Sequence, residues 1–234
     1  KTGTLIRDGV PSIINHDDKT GIEAALTIKE QLGGTVTVVS MGPPQADVAL
    51  REALAMGCDE AYLVSAREFG GSDTYATSGI LAAALKKVGY DIVITGRQAI
   101  DGDTAQVGPQ IAEKLHLPQV SYVEEVIEAT EEYVVVKRQY EDGYHIIKIK
   151  TPCLLTAIAE LATPRYMSVR GIVEAYEAEI KVLGFEDLKD ELELDMIGLK
   201  GSPTNVYQSF TKEVKGAGTI LEGLSADEAV KAIM

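Results

Sequence analysis

The positions of apolar residues divide the first half of the chain into alternating helix-like and strand-like segments. Residues 19–32, 45–56 and 73–88 carry apolar side chains at the three- and four-residue spacing of a helix face. Between them lie short apolar or β-branched runs typical of buried strands, at residues 35–40, 61–64 and 91–95. Asp17 or Asp18 is expected to cap the first helix. This alternation predicts an α/β fold with a parallel sheet and helices on both faces.

The pattern changes after Pro118. Three segments alternate apolar and polar residues, which predicts an antiparallel hairpin or meander at residues 120–128, 132–140 and 144–150. Residues 153–158 predict a last buried strand. Residues 174–195 are strongly acidic, a composition typical of an exposed arm that packs mainly against a partner. Ser225 is expected to cap a final helix. The expected domains are therefore an α/β domain over 1–162 and an arm over 163–234.

Charge and composition narrow the classes of partner. The chain has 22 Lys and Arg against 36 Asp and Glu, a formal net charge of −14, which argues against nucleic acid as a partner. No apolar run approaches the length of about 18 residues that spans a membrane. The two cysteines have no CxxC spacing and the three histidines no metal-ligand spacing, so we expect a reduced, cytoplasmic setting and no metal site. The chain begins with Lys1 inside a turn-like sequence, and we expect that a preceding segment is missing.

The loop that follows the third predicted strand, residues 96–108, contains the largest group of candidate ligand-binding residues. Ligands of parallel α/β folds bind beyond the carboxyl ends of the strands. The start of the next helix offers unpaired N–H groups and partial positive charge, which suits a phosphate. Asp103 or Thr104 is expected to cap this helix, and Thr104 and Gln106 can donate to phosphate oxygens. Asp101 and Asp103 would repel a phosphate and must face elsewhere. The alternative is a capped loop without a ligand. Two further loops are predicted at the same end of the sheet and favour a nucleotide site, at residues 41–44 and 65–73.

Two stretches of the chain resemble the electron transfer flavoprotein beta subunit family. Residues 96–108 resemble the nucleotide loop of that family, and residues 164–172, Pro-Arg-Tyr-Met-Ser-Val-Arg-Gly-Ile, resemble its signature segment. Residues 15–18, 39–43 and 52–57 add to a resemblance that covers essentially the whole chain. It implies a Rossmann-like α/β domain with an antiparallel edge hairpin and a C-terminal arm that embraces the alpha subunit of a heterodimer.

The resemblance also implies that the beta subunit binds an adenine nucleotide. The positions that match the binding segments are Asn15, His16, Asp17, Asp18, Met41, Gly96, Arg97, Gln98, Ala99, Ile100, Asp101, Gly102, Asp103, Thr104, Ala105, Gln106 and Val107. The nucleotide is AMP in ordinary members and a second FAD in electron-bifurcating members. Gly102 and Val107 resemble the loop of the bifurcating form. In physical terms, a small residue at Gly102 lets a pyrophosphate approach the backbone. FAD is therefore favoured, with AMP as the alternative. No side chain is assigned a catalytic role, since the flavin carries the chemistry.

Partner binding is implied for the signature segment. Val169 matches an apolar anchor that docks on an acyl-CoA dehydrogenase, with Arg165, Tyr166 and Ile172 beside it. A bifurcating member would also take electrons from NADH and deliver them to the alpha-subunit flavin and to ferredoxin or flavodoxin. A non-bifurcating carrier with structural AMP is the alternative, so the sequence leaves open whether the subunit oxidises NADH. Outside the family, a nucleotide-binding stress or signalling module is a further alternative.

Overall fold

The computed structural model describes residues 9–204, 206–208, 210, 216, 218 and 220–234. Within these residues the chain forms seven α-helices and eight strands. The helices are α1 His16–Leu32, α2 Asp47–Met56, α3 Thr74–Val88, α4 Val107–Lys114, α5 Val169–Glu177, α6 Phe185–Leu188 and α7 Ala226–Ile233. The strands are β1 Thr37–Met41, β2 Glu60–Val64, β3 Ile92–Gly96, β4 Gln119–Ala129, β5 Tyr133–Tyr140, β6 Gly143–Lys150, β7 Cys153–Ala157 and β8 Lys181–Leu183.

The strands are divided between two hydrogen-bonded sheets. The first contains β1, β2 and β8, in that order and all parallel. The second has the order β3-β7-β4-β5-β6, in which β3, β7 and β4 are parallel and β4, β5 and β6 form an antiparallel meander. The predicted α/β class, the parallel strands and the meander are confirmed. The sequence predicted one parallel sheet, whereas β1 and β3 belong to different sheets.

Helices pack on the strands, and the starts of α1 and α4 lie at the carboxyl end of β3. Helix α1 packs on β3 and β7, α4 packs on β7 and α3, and α2 packs on β1, β2 and α5. Buried side chains of the second sheet form a hydrophobic core cluster that includes Val123, Val134, Val136 and Leu155. None of the helices in the described ranges is long and apolar enough to cross a membrane.

The helix starts test the predicted caps. Helix α1 begins at His16 with Asn15 at the N-cap position, so the prediction that Asp17 or Asp18 caps it is wrong. Both carboxylates lie in the first turn instead, where the helix dipole favours negative charge. The predicted start of α3 is confirmed, because the Asp73 carboxylate accepts the N–H of Ala76 at 3.0 Å. Helix α7 follows the predicted cap, Ser225.

The acidic segment that the sequence assigned to an exposed arm packs on the α/β layer. Leu183, Leu188 and Ile197 are buried in one cluster with Val64 and Phe69. Strand β8 extends the first sheet by pairing with β2. The expectation of an exposed arm over 174–195 is therefore wrong for β8 and α6, and the predicted boundary at residue 162 separates strands of one sheet. Leu183 and Leu188 face the core, whereas Tyr176, Val182 and Leu194 of the same segment are exposed, a difference that average composition does not register.

Candidate functional site

The amino-terminal end of α1 is bonded directly to the loop after β3. The N–H of Gly96 donates to Asp18 Oδ1 at 2.6 Å, and Asn15 Nδ2 donates to Asp18 Oδ2 at 2.8 Å. Asn15 Nδ2 also lies 2.8 Å from the carbonyl oxygen of Gln98. A Cβ on Gly96 would lie 2.9 Å from Asn15 Nδ2 and from the Asp18 N and Oδ2 atoms, so only glycine fits here. Asn15 and Asp18 thus fix the base of the loop.

The Arg97 side chain lies at the base of the same loop. Its Nε is 3.7 Å from Asp17 Oδ2, a distance that makes an ion pair but no hydrogen bond. Within the described residues, this buried Nε has no hydrogen-bond partner, although the side chain as a whole is 38% exposed. The backbone N–H of Arg97 donates to the Ala157 carbonyl at 2.8 Å. The backbone is therefore held by β7 while the guanidinium keeps donors available for an anion.

The outer part of the loop, residues 99–104, is exposed to solvent. The Asp103 carboxylate accepts a hydrogen bond from Gln98 Nε2, so its negative charge faces the side-chain amide of Gln98 in the same loop. Asp103 and Ala105 both have a φ of 54°, a left-handed conformation that costs free energy for a residue with a Cβ. The surrounding structure must hold this conformation, and strained loops of this kind cluster at ligand sites.

Helix α4 begins at Val107, with Gln106 at the N-cap position, so the predicted cap at Asp103 or Thr104 is wrong. Gln106 Oε1 accepts the hydroxyl of Thr74 at 2.8 Å, which leaves the amide nitrogen as the end of this side chain that can donate to a ligand. One turn later the Ser78 hydroxyl donates to Gln110 Oε1 at 2.9 Å. The start of α4 is therefore tied to the start of α3.

A close contact joins α4 to the end of β3. A Cβ on Gly108 would lie 2.6 Å from Thr95 Oγ1, which allows only glycine at this position. Thr95 Oγ1 is buried, and no group in the described part of the chain bonds to it. An unpaired buried hydroxyl is costly unless a ligand or water completes its bonding. Sequence reasoning missed Thr95 and Thr74, because their roles depend on contacts between segments far apart along the chain.

Two of the predicted nucleotide residues form none of the hydrogen bonds described above for this junction. Met41 ends β1 in the other sheet, and its partly buried side chain packs against the cluster that contains Val64 and Phe69. His16 is exposed at the first position of α1. The remaining predicted positions from Gly96 to Val107 form one continuous loop between β3 and α4. The described residues contain no group of three or more His, Cys, Asp and Glu side chains that could hold a metal ion.

The signature segment ends in a helix that the sequence did not predict. Ser168 caps α5, with its hydroxyl oxygen accepting the N–H of Gly171 at 2.9 Å. Tyr166 and Val169 are 99% and 82% exposed, and Ile172 is 38% exposed. These three predicted partner residues thus present their apolar surface to solvent.

Arg165, the fourth predicted partner residue, is bonded within the chain. Its Nε and Nη2 atoms each lie 2.8 Å from a carboxylate oxygen of Glu23, and Nη1 lies 2.6 Å from Glu30 Oε1. Hydrogen bonds from Arg165 lower the pKa of Glu23, although partial burial acts in the opposite direction. The same hydrogen bonds raise the pKa of the Arg165 guanidinium. This side chain fastens the start of the exposed segment to α1.

Comparison with known proteins identifies the family. Residues 2–188 match the electron transfer flavoprotein domain. The chain belongs to the electron transfer flavoprotein family. It is 58% identical over 231 residues to an electron transfer flavoprotein subunit beta from Thermoanaerobacterium thermosaccharolyticum, covering 98% of this chain and 87% of that protein. The family assignment made from residues 96–108 and 164–172 is confirmed.

Two relatives have names that describe reductase complexes. The chain is 53% identical over 236 aligned positions to the caffeyl-CoA reductase-Etf complex subunit CarD of Acetobacterium woodii, covering 100% of this chain and 89% of that protein. It is 54% identical over 232 residues to the acryloyl-CoA reductase electron transfer subunit gamma of Anaerotignum propionicum, covering 97% of this chain and 86% of that protein. Within the family, its similarity is to beta subunits and their counterparts in such complexes. Beta subunits of this family pair with an alpha subunit.

Proposed function

We propose that this electron transfer flavoprotein beta subunit binds FAD at the loop between β3 and α4. The flavin would accept electrons from NADH and pass them to the alpha-subunit flavin and to ferredoxin or flavodoxin. The observation that carries the proposal is the junction of the α1 and α4 starts at the carboxyl end of β3. There the carboxylates of Asp18 and Asp103 are occupied by bonds within the protein. The names of the two reductase-complex relatives agree with a role in delivering electrons to an enzyme that acts on an acyl-CoA substrate.

The residues at this junction fit the phosphates of a dinucleotide. Arg97 offers a guanidinium whose buried Nε has no hydrogen-bond partner among the described residues, and Gln106 offers the amide nitrogen that Thr74 leaves available. The start of α4 adds backbone N–H groups and the positive end of the helix dipole. A Cβ at Gly102 would have no atom within 4 Å, so the backbone there is open to close approach. FAD, when bound, supplies the redox chemistry, and these residues bind and orient it.

The signature segment is proposed to dock on an acyl-CoA dehydrogenase. Tyr166, Val169 and Ile172 would supply the apolar contact, and Arg165 would act by fixing the segment to α1 through Glu23. We further propose that the arm over residues 163–234 contacts the alpha subunit. Helix α7 suits that contact because Val230 and Ile233 are 60% and 76% exposed.

The deciding experiment counts nucleotides in the heterodimer. The chain is co-expressed with its alpha subunit, the purified complex is denatured by heat, and the released FAD and AMP are quantified by chromatography. Two FAD and no AMP per heterodimer would support the proposal, and reduction of the complex by NADH would then be measured. One FAD and one AMP would contradict it and leave a carrier with a structural AMP. A preparation with no alpha subunit and no nucleotide would contradict both forms.

A further inference from the structure

Helix α5 presents an apolar face to solvent and needs support from the rest of the protein. Val169, Val173 and Tyr176 are 82%, 55% and 75% exposed, so little of their surface contributes to the core. The helix has nine residues, and helices shorter than about 12–15 residues are marginal in water without tertiary contacts. Its orientation must therefore be set by contacts on its other face and at its ends.

Arg51 of α2 binds the carboxyl-terminal end of α5. Its Nη1 lies 2.6 Å from the carbonyl oxygen of Ala175, 3.0 Å from that of Tyr176 and 3.3 Å from that of Ala178. The last carbonyls of a helix have no partner within the helix and carry the negative end of its dipole. A guanidinium is suited to this place, because its charge opposes the dipole and its planar donors reach several acceptors.

Two residues of α2, one near each end of the helix, fix the direction of Arg51 and the distance between α2 and α5. Asp47 Oδ2 accepts the Arg51 Nε–H at 2.8 Å, which orients the guanidinium plane toward α5. A Cβ on Gly171 would lie 2.6 Å from the Ala55 carbonyl oxygen, so the backbones of α2 and α5 are in contact. Ala175 is buried beside this contact. Helix α5 is thus held by backbone contact at Gly171, in its first turn, and by the Arg51 guanidinium at its carboxyl-terminal end.

We propose that Arg51 is a positioning residue for partner docking: it holds α5 in the orientation that presents Val169, Val173 and Tyr176 as one surface. This inference rests on the proposed docking role of the signature segment. The donors of Arg51 are occupied by Asp47 and by the carbonyls of α5, so the guanidinium is engaged within the chain. Its effect on docking is therefore indirect, and it acts by keeping the backbone of α5 ordered.

The test compares heterodimers that carry R51K, R51Q, V169D or K86Q. Lys86 forms an exposed ion pair with Glu191 on another part of the surface and provides the matched control for loss of a cation. Hydrogen exchange of the α5 amides is measured by mass spectrometry, and electron transfer between the heterodimer and an acyl-CoA dehydrogenase is measured as KM for the heterodimer and as kcat. Far-UV circular dichroism checks that each variant is folded, and R51K keeps the charge if R51Q does not fold.

We expect R51Q and R51K to speed α5 exchange and to raise KM about tenfold, the factor typical of losing hydrogen bonds to a charged group. We expect kcat and the nucleotide content to stay at wild-type values, because the hydrogen bonds of Arg51 go to Asp47 and to the end of α5 and not to the loop after β3. K86Q should match wild type in every readout. Normal exchange and normal KM in R51K and R51Q, with a raised KM in V169D, would overturn the positioning role alone. A normal KM in V169D would overturn the docking role, and the positioning role with it.

Discussion

Replacing Gly96 by Ala tests the junction at the carboxyl end of β3 most directly. The new Cβ would lie 2.9 Å from three atoms of Asn15 and Asp18, one of which is a backbone nitrogen that cannot rotate away. Overpacking of this kind costs about 1–3 kcal/mol. The N–H of Gly96 would also be pushed away from Asp18 Oδ1, and a hydrogen bond to a charged group contributes about 1.5–3 kcal/mol. The two effects share the same displacement and do not add.

We therefore expect Gly96→Ala to destabilise the protein by about 2–3 kcal/mol. In a chain of this size, that loss lowers Tm by about 4–12 °C. The assay is thermal unfolding of the heterodimer followed by circular dichroism, together with the nucleotide count per complex. Nucleotide content should fall as well, because the displaced atoms fix the base of the loop.

Gly102→Ala is the matched control within the same loop. A Cβ at Gly102 meets no atom within 4 Å, so the stability of the protein without nucleotide should change by no more than about 0.5 kcal/mol. If a pyrophosphate approaches this backbone, as proposed, FAD content should fall while the protein stripped of nucleotide keeps its Tm. Equal melting of Gly96→Ala and wild type would refute the reasoning about the junction. Unchanged FAD content in Gly102→Ala would refute the proposed approach of the pyrophosphate.

Three further predictions concern the core, pH and thiol reactivity. Leu188→Ala should cost about 2–5 kcal/mol in urea unfolding, because this side chain is 2% exposed, whereas Leu194→Ala, 57% exposed, should change little. Arg165 lowers the pKa of Glu23, so this pair stabilises the fold above the ordinary carboxyl pKa near 4.5, and the contribution is lost as pH falls through the lowered value. The Tm of Glu23→Gln should therefore depend less on pH than the Tm of the wild type between about pH 3 and 5. Burial raises the pKa of the Cys58 thiol to about 12, so a disulfide reagent at about pH 8 should modify it only after denaturation; rapid modification of the native protein would contradict this.

The parts of the site that the sequence predicted are those encoded locally. The loop from Gly96 to Val107 follows a short apolar strand and precedes an amphipathic helix, and that order is readable from neighbouring residues. The cap of α1 could not be assigned in the same way, because Asn15, Asp17 and Asp18 are all good N-cap residues within four positions. In the structure Asn15 holds the N-cap position, whereas Asp18 accepts the N–H of Gly96, a contact across 78 positions of sequence.

The errors in the fold also come from contacts between distant segments. Strand β8 pairs with β2, and nothing near residues 181–183 indicates that partner. Average composition identified residues 174–195 as an exposed arm because acidic residues dominate, yet stability depends on where Leu183 and Leu188 point. Thr74 was missed for the same reason, since its bond to Gln106 spans 32 positions.

The position of β7 in the second sheet determines when, during synthesis, the chain can complete the pairing of β3. Strand β3 ends at Gly96, but its neighbour in the sheet begins only at Cys153. The meander strands between them pair with their sequence neighbours and can form as they leave the ribosome, since domains fold during synthesis at about 5–20 residues per second. Asn15 and Asp18 can bond to the loop after β3 as soon as β3 is made, but the hydrogen bond from the N–H of Arg97 to the Ala157 carbonyl must wait for β7. The base of the proposed nucleotide site is therefore complete only after synthesis of two thirds of the polypeptide, and we expect a chain on a ribosome stalled before β7 to retain nucleotide poorly.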